Sequence, residues 1–272
     1  MAAVLDYQTG KRKPPPRAVA ITFDDGYASN YHLAWPVLKR YGLPATIYLT
    51  TGFLDGVMRP WFVRLEHSLS ITTKEELKLL GREWPLVTWQ QRADAYFALT
   101  GIYKSLPNLE AEALIAEIAV QLDCVSPELP APLKPLTWDQ AREMQSSGLI
   151  EFGGHTHSHP ILARCTDDAA QVEILHSMDC LVSELDQRPR TFAYPNGQPG
   201  DYTDFHEKTA LQAGFTAGFN MKSGFVSTQH SRYDLYRYGN PRSVDELESV
   251  VSGSMAFYSK CKAFMGLGRS HG

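Results

Sequence analysis

The chain has 272 residues, 43% hydrophobic content and a net charge of -4 at pH 7, which fits a soluble globular protein with a substantial core, built as one domain with an insertion or as two domains. The acidic balance gives no case for nucleic acid or an anionic membrane surface as partner. No stretch approaches the ~20 apolar residues of a membrane span, and four widely spaced cysteines (Cys124, Cys165, Cys180, Cys261) without a Cys-x-x-Cys imply free thiols in a reducing compartment rather than a disulfide frame or a cysteine zinc site.

Residues 1–17, including Lys11-Arg12-Lys13-Pro14-Pro15-Pro16, lack an apolar core of signal-peptide length, so a cytoplasmic protein with an irregular lead-in is expected. The apolar run Val19 to Phe23 then suits a buried strand, and it ends in Asp24-Asp25-Gly26. Two adjacent carboxylates repel each other unless a cation or proton sits between them; one holding a metal while the other stays free as a base is a chemical solution. An exposed Asp-Asp-Gly turn is the plainer alternative. Ser29 or Asn30 can cap a helix carrying Leu33, Val37, Leu38 and Tyr41 and closed by Gly42, with Pro36 awkward inside it. Ala45 to Leu49 reads as the next strand, completing a strand–helix–strand unit of a parallel sheet.

Residues 53–134 read as a mostly helical insertion. Thr73 with Glu76 resembles a capping box before Leu77, Leu79 and Leu80, and Asn108 can cap Leu109 to Leu122. Trp61, Phe62, Trp84, Trp89 and Tyr96 suit a small core of its own, with an aromatic lid or groove wall as the other reading. A second capping box, Thr137-Trp138-Asp139-Gln140, leads to the apolar run Leu149-Ile150-Glu151-Phe152 and then to Gly153-Gly154-His155-Thr156-His157-Ser158-His159-Pro160. Three of the nine histidines fall in five positions here, a density that favours a metal site. One helical turn would put His155 and His159 on one face, whereas an extended chain would align all three. Thr156 is expected to bond its own loop, and His157 to be exposed or to support the ligands. Thr166 or Asp167 begins a helix with Val172, Leu175, Met178, Val182 and Leu185 on one stripe, leaving His176 and Asp179 on its polar face. Strands are expected over Thr191–Tyr194, Phe215–Phe219 and Leu235–Tyr238. Thr203 and Ser243 should cap two further helices, the last with Leu247, Val250 and Val251 inside, before a frayed end at 266–272.

Three pieces of this chain resemble the signature motifs of the polysaccharide deacetylases, carbohydrate esterase family 4 or the NodB-homology domain. They are Thr22-Phe23-Asp24-Asp25-Gly26, His155-Thr156-His157-Ser158-His159 and, more weakly, Phe192-Ala193-Tyr194-Pro195-Asn196-Gly197. Their order and spacing agree with the family, over roughly 18–53 and 134–242. The alternating strands and helices suggest a parallel α/β barrel; the resemblance implies a distorted, incomplete one of about seven strands, with 1–272 as a single catalytic domain and 53–134 inserted in it. It implies Asp25, His155 and His159 as ligands of zinc (or cobalt, nickel or iron), Asp24 as the base, the Tyr194 backbone N–H as oxyanion donor, and Tyr194 and Pro195 against substrate. Two imidazoles and a carboxylate leave coordination positions open, as catalytic zinc requires.

Two departures stand out. The arginine that orients the family's catalytic Asp is replaced by Ala193, with Arg188, Arg190 or Arg237 as candidates to act from elsewhere. No Leu-x-His follows near the C-terminus to supply a general acid, and His230 is the nearest substitute. The resemblance implies hydrolysis of N-acetyl groups from amino sugars of a glycan or glycan precursor, releasing acetate. The departures motivate an alternative, a metal- and glycan-binding module without turnover. A third possibility, a non-haem iron oxygenase, shares the ligand set but not the Asp pair or the α/β pattern.

Overall fold

The computed structural model describes residues 1–15, 18–125 and 128–254. Five parallel strands form one sheet in the order β1 (Ile21–Phe23), β2 (Ala45–Leu49), β5 (Ile150–Gly154), β6 (Thr191–Ala193) and β7 (Ala217–Phe219). The register runs Phe23 to Ile47, Leu49 to Gly154, Gly154 to Phe192 and Ala193 to Phe219. All five strands therefore end on the same side, where the Asp pair, the His loop and the Tyr194 turn converge. Five strands, not about seven, form the sheet among the described residues. Leu235 adds a single bridge to Phe219 instead of a strand: it exchanges bonds with Gly218 and Asn220 at 3.0 and 2.9 Å. Two residues on, the Arg237 side chain turns in toward Asp24.

The two faces of the sheet bury different residues, as the period of two requires. Ile47, Leu49, Ile150, Phe152 and Phe192 face the outer helices α2 (Trp35–Tyr41), α7 (Trp138–Ser146), α8 (Asp167–Glu184) and α9 (Asp204–Gln212). Tyr48, Ala193, Ala217 and Phe219 face the concave side together with Leu235 and Leu5. Leu5 lies in α1 (Ala2–Gln8), so the expected irregular lead-in begins as a helix that plugs the curled sheet. Gly153 is required on this face: a Cβ there would lie 2.5 Å from Tyr48 Cδ1 and 2.6 Å from the Thr191 carbonyl.

Helix stripes differ from expectation where backbone geometry overrides hydrophobicity. A π-helical turn at Asn30–Ala34 takes an extra residue before α2. Trp35 and Leu38 thereby face the core, while Leu33, Val37 and Tyr41 are exposed. Pro36 sits where the π-helical turn passes into α2, and the wider turn accommodates a residue without an N–H; Gly42 caps the end with φ 61°. In α8, Thr166 caps as expected, but Ala170, Ile174, Ser177, Met178 and Leu181 are buried and Val172 and Val182 are exposed. Small residues at 170 and 177 let that helix lie close to the sheet. The capping box at Thr137 forms, with Gln140 N donating to Thr137 Oγ1 and Thr137 N donating to Gln140 Oε1. Helix α10 (Val244–Ser252), capped by Ser243, buries none of its residues among those described, contrary to the expectation for Leu247, Val250 and Val251.

Between β2 and β5 lie α3 (Thr51–Leu54), α4 (Trp61–Ile71), a hairpin of β3 (Glu76–Leu79) and β4 (Arg82–Pro85), α5 (Trp89–Ser105) and α6 (Asn108–Gln121). The hairpin replaces the helix expected after Thr73. Leu77 and Leu79 alternate inward with period two, and Leu80 and Gly81 both adopt positive φ (55° and 69°), the turn geometry that joins tightly twisted strands. In α6, Pro107 precedes the first turn and Asn108 lies inside it, so the expected Asn108 cap does not form. Trp61 stacks on Tyr103 at 4.0 Å, and with Leu65, Trp84, Leu99 and Ile118 they close a core separate from that of the sheet. Trp89, by contrast, is exposed.

Candidate metal centre

The cluster starts at the end of β1. Asp25 takes φ 72°, a left-handed conformation that Asp tolerates better than most residues, and Thr50 N donates to its carbonyl at 3.3 Å. His155 follows β5 directly. Its N–H donates to the Leu49 carbonyl at 3.0 Å, and its Nδ1 lies 2.7 Å from the Ala193 carbonyl. A carbonyl only accepts, so Nδ1 carries the proton and the Nε2 lone pair faces Asp25. The His loop is neither helical nor extended. Thr156 and His159 both have positive φ (64° and 60°), and Thr156 Oγ1 accepts from His159 N at 3.0 Å. Thr156 thus bonds within its own loop. Four of the non-glycine residues with positive φ, Asp25, Thr156, His159 and Asn196, sit in these motifs; such strain concentrates where function demands a geometry.

His155 Nε2 and His159 Nε2 lie 3.5 and 3.3 Å from the same oxygen, Asp25 Oδ1. Tetrahedral zinc with nitrogen and oxygen ligands at ~2.0–2.2 Å has ligand–ligand edges of about 3.4 Å. Asp25 Oδ1 is buried and meets no hydrogen-bond donor among the described residues. The donor set and the orphaned oxygen fit a divalent metal. Burial pushes the His159 imidazole down to about 4, leaving it neutral and ready to ligate. Burial acts on His155 the same way, but Asp24 and Asp25 outweigh it and its pKa is raised.

Asp24 stands 4.0 Å from His155 Nε2 and is held from the opposite side. Arg237 Nη1 and Nη2 donate to its two oxygens at 2.7 and 2.8 Å, while Nε donates to the Asn220 carbonyl at 3.1 Å. Burial alone would raise the Asp24 carboxyl; the Arg237 guanidinium, with His155 and His159, overcomes it and holds the group down to about 2. Arg237 therefore occupies the orienting role left open by Ala193. Arg188 instead reaches the Ala213 carbonyl.

The third motif is placed differently from expectation. The Tyr194 N–H donates to the Phe219 carbonyl at 3.0 Å, so it is taken up by the sheet rather than free for an oxyanion. The Tyr194 ring is 0% exposed, stacked on Tyr202 at 4.0 Å, and its hydroxyl donates to the Tyr233 carbonyl, which removes it from the substrate surface. Pro195 is buried as well. His230 stacks on Tyr236 at 4.1 Å and its carbonyl accepts from Gln8; no hydrogen bond, ion pair or ring contact among the described residues joins it to Asp24, Asp25, His155 or His159. His157 is half-buried with Nδ1 3.0 Å from Thr51 Oγ1, not free in solvent.

Two supports of the centre carry no motif in the sequence. Glu173 on α8 accepts from the backbone N–H groups of His157 and Ser158 at 2.9 and 2.7 Å and fixes the His loop. Phe62, from the insertion, packs edge-on against His159 at 5.1 Å, so α4 forms one wall of the centre. A cavity of about 530 Å³ beside it is lined by Met58, Arg59, Arg64, His67, Ser158 and Pro160, within the size range of small-ligand sites.

The family model for polysaccharide deacetylase matches residues 11–218. The chain belongs to the polysaccharide deacetylase family. Among curated relatives, YxkH of Bacillus subtilis is 56% identical over 41 residues, 15% of each chain. A Staphylococcus aureus poly-β-1,6-N-acetyl-D-glucosamine N-deacetylase is 38% identical over 72 residues, 26% of this chain and 22% of that one. The chain thus spans under a quarter of the length of these relatives. Among solved structures, the Streptococcus pyogenes deacetylase PplD in complex with acetate aligns over 92% of this chain and 77% of that one (20% identity, TM-score 0.58). A de-N-acetylase from Aggregatibacter actinomycetemcomitans aligns over 92% and 80% (19% identity, TM-score 0.55). Likeness at this identity shows that the deacetylase fold is shared. Among the described residues, no helix of this deacetylase-family chain is long and apolar enough to cross a membrane.

Proposed function

We propose that this chain is a metal-dependent hydrolase that removes N-acetyl groups from amino sugars of a glycan and releases acetate, acting as one catalytic domain over 1–272 with 53–134 inserted. The observation that carries this reading is Asp24 pinned by both arms of Arg237 beside a two-His, one-Asp cluster. A binding module gains nothing from a second carboxylate held beside the cluster but kept out of the ligand set, whereas hydrolysis needs a base there.

Asp25, His155 and His159 would hold the ion, which supplies a Lewis acid for the amide oxygen and makes water available as a nucleophile near neutral pH. Asp24, ionised at any working pH, accepts the proton of the attacking water through an oxygen oriented by Arg237. Having taken that proton, Asp24 can return it to the leaving amine without help from His230. For the oxyanion, Tyr194 N–H is engaged and Pro195 has none. The next N–H, that of Asn196, meets no acceptor among the described residues, which makes it the better candidate in this turn. Glycan chain beyond the reacting sugar would lie toward the cavity between the His loop and α4.

The staphylococcal relative suggests β-1,6-linked N-acetylglucosamine oligomers as the first substrate to test. Acetate release should require zinc or cobalt and disappear with chelator. Zinc-loaded protein that binds these oligomers yet releases no acetate would favour the binding module.

A further inference from the structure

A second set of metal-binding side chains lies outside the proposed reaction. His176 and Cys180 stand four residues apart in α8, on one face of the helix, with His176 Nε2 3.7 Å from Cys180 Sγ. His157 approaches them from the His loop, its ring 4.4 Å from that of His176. One ligand atom from each of the three lies within 4.8 Å of the others. Zinc bound by sulfur at ~2.3 Å and nitrogen at ~2.0–2.1 Å has an N–S edge of about 3.6 Å. The His176–Cys180 pair already matches this, and the His157 ligand atom lies within 4.8 Å of both.

The surroundings suit an ion. His176 is exposed while His157 and Cys180 are half-buried, so the site is both reachable and partly enclosed. His157 Nε2 is packed against Gly52, leaving Nδ1, now bonded to the Thr51 hydroxyl, as the nitrogen to bind. Asp55 lies within electrostatic reach of both His157 and Cys180. Its Oδ1 accepts from Trp138 Nε1 at 2.8 Å, which leaves Oδ2 available. A thiol–imidazole pair on a helix surface would account for two of these residues but not for the convergence of the third from a separate element.

We propose that His157, His176 and Cys180 form a second site for a borderline-soft divalent ion, zinc above all, completed by Asp55 or water. Binding exchanges the Thr51 hydroxyl at His157 and releases the Cys180 thiol proton to solvent, leaving a thiolate on the metal. Because His157 lies between His155 and His159 in sequence, such an ion ties the His loop to α8 and adds to the hold of Glu173. Its role is to brace the catalytic loop, and it does not touch substrate.

Cobalt titration of metal-free full chain tests this. Thiolate bound to Co(II) gives a near-ultraviolet charge-transfer band that a site of imidazoles and carboxylate lacks. Two equivalents per chain and that band are expected. Cys180→Ser and His176→Ala should each bind one equivalent, Cys180→Ser losing the band altogether, while zinc-dependent acetate release stays within about threefold at saturating metal. Asp25→Ala should lose the other equivalent and keep the band, so failure of the catalytic reading is seen separately. A single equivalent in the unaltered chain, or a band that survives Cys180→Ser, would overturn the proposal.

Discussion

Replacing Arg237 by Met tests the Asp24 geometry most directly. Arg237 is 9% exposed and donates twice to Asp24, whose side chain is 28% exposed. Holding Asp24 at about 2 instead of 3.8 corresponds to about 2 kcal/mol of native-state stability at neutral pH, at ~1.36 kcal/mol per pH unit. Breaking a fully buried pair costs ~3–5 kcal/mol, an upper bound here because the Asp24 side chain is 28% exposed. The metal-free Arg237→Met protein should therefore be about 2–4 kcal/mol less stable at pH 7, a fall of ~4–7 °C in Tm for a chain of this size. The sign with pH follows from the depressed carboxyl. Its contribution is fully present above about pH 4 and is lost as the pH falls through about 2, so the variant and the parent should converge in acid. In the zinc-loaded enzyme, metal stoichiometry should be unchanged and kcat should fall by ~10²–10³-fold, because the base loses its orientation. Arg237→Lys restores the charge without the fork and should recover stability better than rate. Thermal melts in chelator across pH, with zinc content and acetate release measured on the same samples, read all of this. A variant with full rate, or with a Tm deficit that does not shrink in acid, would refute the assignment.

Asp25→Ala should lose the catalytic ion, whereas Asp24→Asn should keep it and lose at least ~10²-fold in rate; metal analysis paired with acetate release separates them, and a fully active Asp24→Asn protein would show that the base lies elsewhere. Glu173→Gln weakens the clamp on the His157 and Ser158 N–H groups and should lower zinc affinity ~10–100-fold while leaving kcat at saturating zinc near that of the parent, as read by chelator competition. Tyr194→Phe deletes the bond to the Tyr233 carbonyl and should cost about 1–2 kcal/mol of stability with KM unchanged, since the ring is buried; a raised KM would return that ring to the substrate surface.

Residue type made the metal centre legible from the sequence. Paired carboxylates alone also suit an exposed turn, but together with three histidines after a glycine pair they point to cation binding, and that chemistry does not depend on how the loop is bent. The loop conformation was not legible. Helical and extended spacing both grouped His155 with His159, and the actual loop uses two left-handed residues that no periodicity encodes. At 76–85 the Thr73–Glu76 spacing fits a helix cap, while the alternation of Leu77 and Leu79 carries the period of the hairpin that forms. The stripes of α2 and α8 shifted because a π-helical turn and small residues near the sheet are invisible to a count of hydrophobic side chains.

Residue order alone carried the parallel α/β class, the candidate Asp25, His155 and His159 cluster and the absence of an arginine from the third motif. The folded chain was needed to see that Arg237 holds Asp24, that the Tyr194 N–H belongs to the sheet, that Phe62 walls the centre, and that His157 meets His176 and Cys180. The reason is physical: ligand chemistry is a property of side chains and survives in a one-dimensional reading. The Arg237–Asp24 pair spans 213 positions, and the contacts of Tyr194 depend on strand register. Those pairings exist only once the sheet has brought distant segments to a common edge.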